Sequence, residues 1–440
     1  MFFFVTLAIL IPFSTSLSTF SPITQPNYTH GNGRDKIREY QFHIAPMQCY
    51  TNLTLRTLFH FLSPSSVLWT EMEKVNDVFP ENCHDSHSTL MNAWTRRLGK
   101  QNNDHSSLIL QLGCNDPKRL KTCVEQTVIQ YDTLKGINLN CGCPSIESGG
   151  AANYGASLMK DPFLTGRLVE SMKEALSNTE QTDIELSVKC RIGVFDSVDD
   201  IRALTAERDY DYLHNYVSIM KDAGIDHVIL HARPAILSGL NPTKNRIVPE
   251  LKYDFVERIA SEFPDLRVTL NGGISDKCHL KKLIETKTYV DSHMAGRWCL
   301  RRPLDLVGIE AMLRNKNNME GDYALKAVEK YLDHAISIAN NPSRSDTQIS
   351  ELCLPLFLIS EQLKEDYALD SNTGLSFREI EDIHDILCHG ISDIESLSKG
   401  RKKKSKLVQG DINLPINIVE RGTHNRHVTC YLILLLVIIK

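Results

Sequence analysis

The 440-residue sequence predicts an α/β fold: a (β/α)8 TIM barrel followed by a C-terminal small helical domain. Three observations carry that expectation. Short apolar runs recur through residues 41–306 with helical periodicity between them. Eight of these runs end in a polar or glycine-bearing signature, and a barrel of this class gathers its chemistry at the carboxyl ends of its strands. Beyond residue 320 the pattern changes to helices alone.

The strands are expected at 42–46, 67–71, 108–112, 136–140, 184–189, 226–231, 266–270 and 289–295. Most read as runs buried on both faces, as parallel strands should be. They end, in order, at Ala45-Pro46-Met47, Thr70-Glu71-Met72, Gln111-Leu112-Gly113, Asn140-Cys141-Gly142-Cys143-Pro144, Lys189-Cys190-Arg191, His231-Ala232-Arg233, Asn271-Gly272-Gly273 and Gly296-Arg297. The clearest helix starts at Asp161-Pro162, an N-cap with proline at the first helical position, and aligns Leu164, Leu168, Met172 and Ala175 on one face. Shorter helices are expected from Phe255 to Phe263 and from His279 to Ile284. Residues 73–106, polar and rich in His and Asn, and the acidic residues 195–212 read as insertions on the active-site side. The apolar stripe Leu325, Val328, Leu332, Ala335, Ile336 and Ala339 opens the helical part, with further helices at about 348–366 and 376–396. The expected division is therefore a leader and linker over 1–40, the barrel over 41–318, the helical domain over 319–400, and a basic run with a tail over 401–440.

Composition is that of an ordinary globular chain, 42% hydrophobic and 23% charged. A net charge of −5 gives no global field for a polyanion, so such a partner needs a local basic patch. The run from Lys399 to Lys406 is one, readable as a solvated linker or as a phosphate contact. Twelve cysteines occur without any C-x-x-C pair, which predicts free thiols, a reduced compartment and no metal site. Met1 to Leu17 resembles a secretory signal, although no basic residue precedes its apolar stretch. The Ser/Thr-rich segment that follows has no Asp or Glu over residues 12–32 and resembles bipartite plastid-targeting leaders. An organellar, plastid location is expected, with cytoplasmic and secreted locations as alternatives. The tail Tyr431–Lys440 is too short to span a bilayer as a helix; a buried strand, an unstructured tail and an artefact of gene prediction remain open, and no stable membrane partner is expected.

The motifs in order resemble one family. Ile44-Ala-Pro-Met47, Thr70-Glu-Met72, Leu110-Gln-Leu-Gly113, Asn138-Leu-Asn-Cys-Gly-Cys-Pro-Ser145, Val188-Lys-Cys-Arg-Ile-Gly193 and Asn271-Gly-Gly-Ile274 look like those of tRNA-dihydrouridine synthases. The stretch from His231 to Arg246 is similar to the A-type branch in particular. The resemblance covers residues 41–306 and implies a flavin enzyme. Its FMN is recharged by NADPH and reduces the C5=C6 bond of D-loop uridines in tRNA, for this branch at positions 20 and 20a. A monomer is expected.

The residues can be read against that chemistry. Asn271, Gly272 and Gly273, with Gly296 and Arg297 one strand later, suit the flavin phosphate, since glycines let backbone N–H groups approach it and arginine pairs with it. Alone, Gly272-Gly273 reads equally as a tight turn. Ala45, Pro46 and Met47 supply an apolar wall, Gln111 the pyrimidine edge, Lys189 a cation for the reduced ring, and His231 a further flavin contact. Cys143 is the expected acid: hydride goes from flavin N5 to uracil C6 while C5 needs a proton, and a thiol with an ordinary pKa of ~8.5 can give one. Asn140 is read as orienting the uracil or its ribose, or as a strand-end cap. Lys244, Asn245 and Arg246 are assigned to tRNA, with Arg191, Arg301 and Arg302 as additions. Cys141 and Cys190 should face away from the pocket.

Two departures stand out. Cys49 occupies a position commonly acidic in the family, and Cys114 one commonly glycine. The helical part carries many acids (Glu351, Glu361, Glu365, Asp366, Glu379, Glu381) where relatives present a basic face to tRNA. An FMN barrel acting on free pyrimidines and an inactive RNA-binding relative are the competing readings.

Overall fold

The computed structural model describes residues 38–80, 86–100, 105–144, 154–202, 206–286, 289–316, 319, 322–341, 346–369 and a few positions between 382 and 394. The expected leader up to residue 37, the basic run, the apolar tail and most of the helix expected at 376–396 lie outside the described residues.

Eight parallel strands form one sheet in which each neighbours the next in sequence: β1 (Gln41–Ile44), β2 (Leu68–Lys74), β3 (Leu108–Gly113), β4 (Gly136–Cys141), β5 (Glu185–Arg191), β6 (His227–His231), β7 (Arg267–Asn271) and β8 (Ser292–Ala295). β8 pairs with β1 in register. Closure comes at β1 and β2, where Ile44 N donates to Val67 O and Val67 N to Phe42 O, both at 2.9 Å. The sheet is thus the expected barrel. A two-residue ribbon, Val194–Phe195 with Ala235–Ile236, lies beyond β5 and β6.

Side-chain alternation sorts the strands into two layers. Ala45, Val67, Trp69, Ile109, Ile229 and Met294 pack together inside the barrel. The opposite set, including Leu139, Cys141, Val188 and Cys190, joins the larger core between strands and helices. Cys141 and Cys190 are accordingly fully buried away from the pocket, as expected.

Several boundaries move. β2 runs on to Lys74 through a register shift between Trp69 and Met72. β8 begins only at Ser292; at the bend before it Asp291 N donates to Val268 O and Asp291 Oδ2 accepts from Val268 N, both at 2.8 Å. The segments read as insertions are largely regular helix. Ser86–Arg97 buries Leu90, Ala93 and Trp94 despite its polar composition, and Trp94 Nε1 donates to Thr127 Oγ1 at 2.8 Å. Ala206–Asp222 likewise buries Tyr210, Leu213, Tyr216, Val217 and Met220. Helix Pro162–Asn178 starts where expected, with the Asp161 carboxylate accepting from Leu164 N at 2.8 Å.

Helices Tyr323–Ala339 and Asp346–Leu369 pack on helix Leu53–Leu62, and their buried residues belong to the same continuous core as the barrel's. The long helix is latched to the barrel by polar groups. Arg302 reaches Asp305 Oδ2 at 3.1 Å and Asp366 Oδ1 at 2.7 Å, while Gln362 Oε1 accepts from Leu304 N at 2.8 Å. Asp366, counted among the acids that disfavour tRNA, is therefore a docking group, and Arg302 is spent on it rather than on substrate. No helix of the described residues is long and apolar enough to cross a membrane.

Candidate active site at the carboxyl ends of the strands

Strand register brings the expected residues into one layer. Gln111 lies opposite Asn138, Asn140 opposite Lys189, Arg191 opposite His231, and His231 opposite Asn271. A chain of amides crosses this layer. Asn140 Nδ2 donates to Gln111 Oε1 at 2.7 Å, Gln111 Nε2 to Asn138 Oδ1 at 2.8 Å, and Asn138 Nδ2 to Ser187 Oγ at 2.9 Å. Each amide fixes the flip of the next, so Gln111 is held with one Nε2 hydrogen to spare.

The Cys143 turn hangs from this chain. Asn140 Oδ1 accepts from Gly142 N at 3.2 Å and from Cys143 N at 3.1 Å. On the far side Ala156 N donates to Cys143 O at 2.9 Å. Gly155, at φ +72°, lets that approach happen, since a Cβ there would lie 2.6 Å from Cys143 O. The backbone of Cys143 is pinned at both ends while its side chain remains partly exposed. Asn140 thus serves the turn as the strand-end cap reading has it, through its carbonyl oxygen.

The expected phosphate end is built by backbone. Gly272 and Gly273 have φ of +110° and +76°, a conformation that L side chains rarely adopt. A Cβ on Gly272 would lie 3.3 Å from the His231 ring, and one on Gly273 would lie 2.8 Å from Tyr253 Oη and closer still to Leu251. Tyr253 Oη donates to Gly272 O at 2.7 Å and holds the turn. Asn271 Nδ2 donates to Met294 O at 2.9 Å, tying β7 to β8. Gly296 packs against Ala45 and Met47, where a Cβ would lie 3.2 Å from Ala45 Cβ and 3.1 Å from Met47 Sδ. Pro46 and Met47 stand half-buried above β1, and Arg297 is exposed at the start of helix Arg297–Arg301.

Cations converge on this mouth. Burial, and then the charge of Arg191, lowers the Lys189 pKa to about 8. Among the described residues no carboxylate pairs with Lys189, Arg191, Arg233, Arg246 or Arg297. Burial and the charges of Arg191, Lys189, Arg233 and Arg297 hold His231 well below the usual histidine value, so the ring is neutral. Its Nδ1, with Arg233 Nε and Arg246 Nε, is buried without a hydrogen-bond partner among the described residues. Unmatched donors, an open cationic mouth and a glycine cradle fit a polyanionic, polar-edged group such as a flavin mononucleotide.

The loop after β6 divides its work. Lys244 is exposed and Arg246 half-buried, both able to meet a phosphate. Asn245 is not: it is fully buried, its Oδ1 accepts from Ile236 N at 2.8 Å, and its Nδ2 donates to Ile236 O at 2.9 Å and Leu240 O at 3.1 Å. The expected substrate contact at Asn245 is therefore corrected to a staple that shapes the loop.

Some residues of the site escaped the sequence reading. Glu71 lies at the rim, accepting from Gln48 Nε2 at 3.1 Å, and burial and Glu73 raise its pKa to about 7. Tyr253 was missed as well, since nothing in the local pattern says that its hydroxyl caps a carbonyl 19 residues away.

Comparison with known proteins agrees with this geometry. The family model described as "Dihydrouridine synthase (Dus)" matches residues 43–364. A tRNA-dihydrouridine(20/20a) synthase of Xanthomonas axonopodis pv. citri is 34% identical over 294 residues, 67% of this chain and 78% of that protein. Proteins of the same name from Synechocystis sp. and Escherichia coli O6:H1 are 30% and 29% identical over 317 and 307 residues. These alignments cover 71% and 68% of this chain and 83% and 80% of those proteins.

Proposed function

Because this chain belongs to the dihydrouridine synthase family, we propose that it reduces the C5=C6 bond of D-loop uridines in tRNA, using FMN recharged by NADPH. The target uridines are 20 and 20a, the positions in its relatives' names. The observation that carries this reading is the Cys143 turn, pinned by Asn140 and Ala156 beside a cationic mouth without a paired carboxylate among the described residues and a glycine cradle.

Bound FMN supplies the reducing equivalents for the double bond. Gly272, Gly273, Gly296 and Arg297 would hold its phosphate, with Asn271 tying β7 to β8 beneath them. Ala45, Pro46 and Met47 form the wall against the ring, and the spare Gln111 hydrogen serves the pyrimidine edge. Lys189 places an ammonium where negative charge collects, and neutral His231 adds a hydrogen bond. Cys143 gives its thiol proton to C5 of the uracil as C6 is reduced. The thiolate left behind faces the charges of Lys189, Arg191 and Arg246, which stabilise it until solvent returns the proton. The uridine must leave its stack to reach this depth, and Lys244 and Arg246 steady the flanking phosphates.

The test is direct. Purified protein, FMN and NADPH are incubated with an unmodified tRNA transcript, and dihydrouridine is mapped by primer extension after alkaline cleavage. Product at 20 and 20a supports the proposal. Reduction of free uracil with tRNA untouched replaces it with the free-pyrimidine reading. We also infer organellar, plastid delivery from the leader; a fluorescent protein fused behind residues 1–40 that stays in the cytosol would contradict it.

A further inference from the structure

Arg191 is the last residue of β5, only 5% exposed, and among the described residues no carboxylate neutralises it. Burial is the main reason that its pKa falls to about 10. Its hydrogen bonds instead go to three main-chain carbonyls from three separate segments. Nε donates to Gly142 O at 3.1 Å, in the turn that carries Cys143. Nη1 donates to Asn245 O at 3.1 Å, in the loop that carries Lys244 and Arg246, and to Pro234 O at 3.3 Å, beside the short ribbon. A buried cation facing only neutral carbonyls is poorly compensated, so its placement calls for a reason.

The geometry points to Arg191 as a positioning residue that couples the loop at 244–248 to the Cys143 turn. The argument rests on the reading of that loop as a tRNA contact. Both segments hang from one planar guanidinium, a rigid fork whose donors cannot move independently. Asn245 stiffens its end of the link through Ile236 and Leu240, and Asn140 stiffens the other end through Cys143 N. Tension or order imposed on the loop by phosphates at Lys244 and Arg246 therefore reaches the backbone that carries the proton donor. Lysine retains the charge but cannot hold Gly142 O and Asn245 O at once, so charge and coupling are separable.

Hydrogen exchange on the folded protein tests this without relying on turnover. In Arg191→Lys, the peptide holding Gly142 and Cys143 and the peptide over 244–248 should both exchange at least tenfold faster, with β7 (Arg267–Asn271) unchanged as internal reference. In Asn245→Ala, which loosens only the loop, the Gly142–Cys143 peptide should also accelerate; on the Arg191→Lys background the same change should add nothing there. An unchanged Gly142–Cys143 peptide in Asn245→Ala overturns the coupling. Kinetics give a second arm: Asn245→Ala should slow tRNA-dependent flavin reoxidation by tenfold or more and leave flavin reduction by NADPH at the wild-type rate. Equal loss in both half-reactions indicates a merely structural role and overturns the assignment. If the segments prove coupled but tRNA does not slow exchange at 244–248 in the wild type, the tRNA reading of the loop fails while the coupling stands.

Discussion

At Gly273 the chain takes a φ of +76° against Tyr253 and Leu251, so one added methyl tests the phosphate cradle. Gly273→Ala should purify without flavin, and its FMN affinity should fall at least a hundredfold by fluorescence titration, because both the backbone and Tyr253 must shift. Lys189 gives a pH test. Its folded pKa of about 8 is below the ordinary lysine value, so its charge is present below pH 8 and lost above it. Flavin reduction by NADPH should therefore fall as pH rises through about 8, and Lys189→Arg should keep that rate flat to higher pH. At this scale the sequence was informative wherever alternation along a strand decides direction: Gln111, Lys189, His231 and Asn271 face inward, Cys141 and Cys190 outward. It failed for Asn245 and Arg302, whose partners lie in other segments. Nothing local says that one is buried against Ile236 or that the other is claimed by Asp366.

Among the elements, the long helix Asp346–Leu369 depends on its latch to residues 302–305, past the helix that follows β8. Asp366 is buried, and Arg302 is its main cationic partner. Removing one partner of a buried pair leaves the other charge stranded, which typically costs about 3–5 kcal/mol. Arg302→Met should lower the thermal midpoint by several degrees, whereas the double change Arg302→Met, Asp366→Leu should recover most of the loss; a calorimetric scan reads both. Strands were legible as apolar runs, but the helices at 86–97 and 206–222 were hidden by polar residues on their solvent faces. Their buried residues recur at helical spacing, a period that composition alone obscures. The start of β8 was misplaced for the opposite reason, since Tyr289 is apolar yet half-exposed and Asp291 serves β7.

Across the whole molecule the two ends of the barrel do different work. At the amino end, burial would raise the Glu185 pKa, but His227, Arg267 and Lys135 outweigh it and bring it down to about 2. His227 Nδ1 lies 2.8 Å from Glu185 Oε1, and its Nε2 lies 2.7 Å from Thr269 Oγ1. A depressed carboxylate contributes stability that is complete above its unfolded value near 4.5 and lost as pH falls toward 2. Glu185→Gln should therefore cost on the order of 2–3 kcal/mol at pH 7, flatten the acid limb of the stability curve, and leave dihydrouridine formation intact at low temperature. At the carboxyl end, the proposed chemistry converges on one thiol. Its placement was readable from Asn140-Cys141-Gly142-Cys143-Pro144, while the arginine linking it to the loop after β6 was visible only in three dimensions. The most direct measurement is a single turnover of reduced, FMN-loaded protein with unmodified tRNA, wild type against Cys143→Ala, with dihydrouridine quantified by mass spectrometry. Dihydrouridine from the wild type and at least a hundredfold slower formation by Cys143→Ala, with flavin content unchanged, is the predicted result; equal rates in the two proteins would contradict Cys143 as the proton donor to C5.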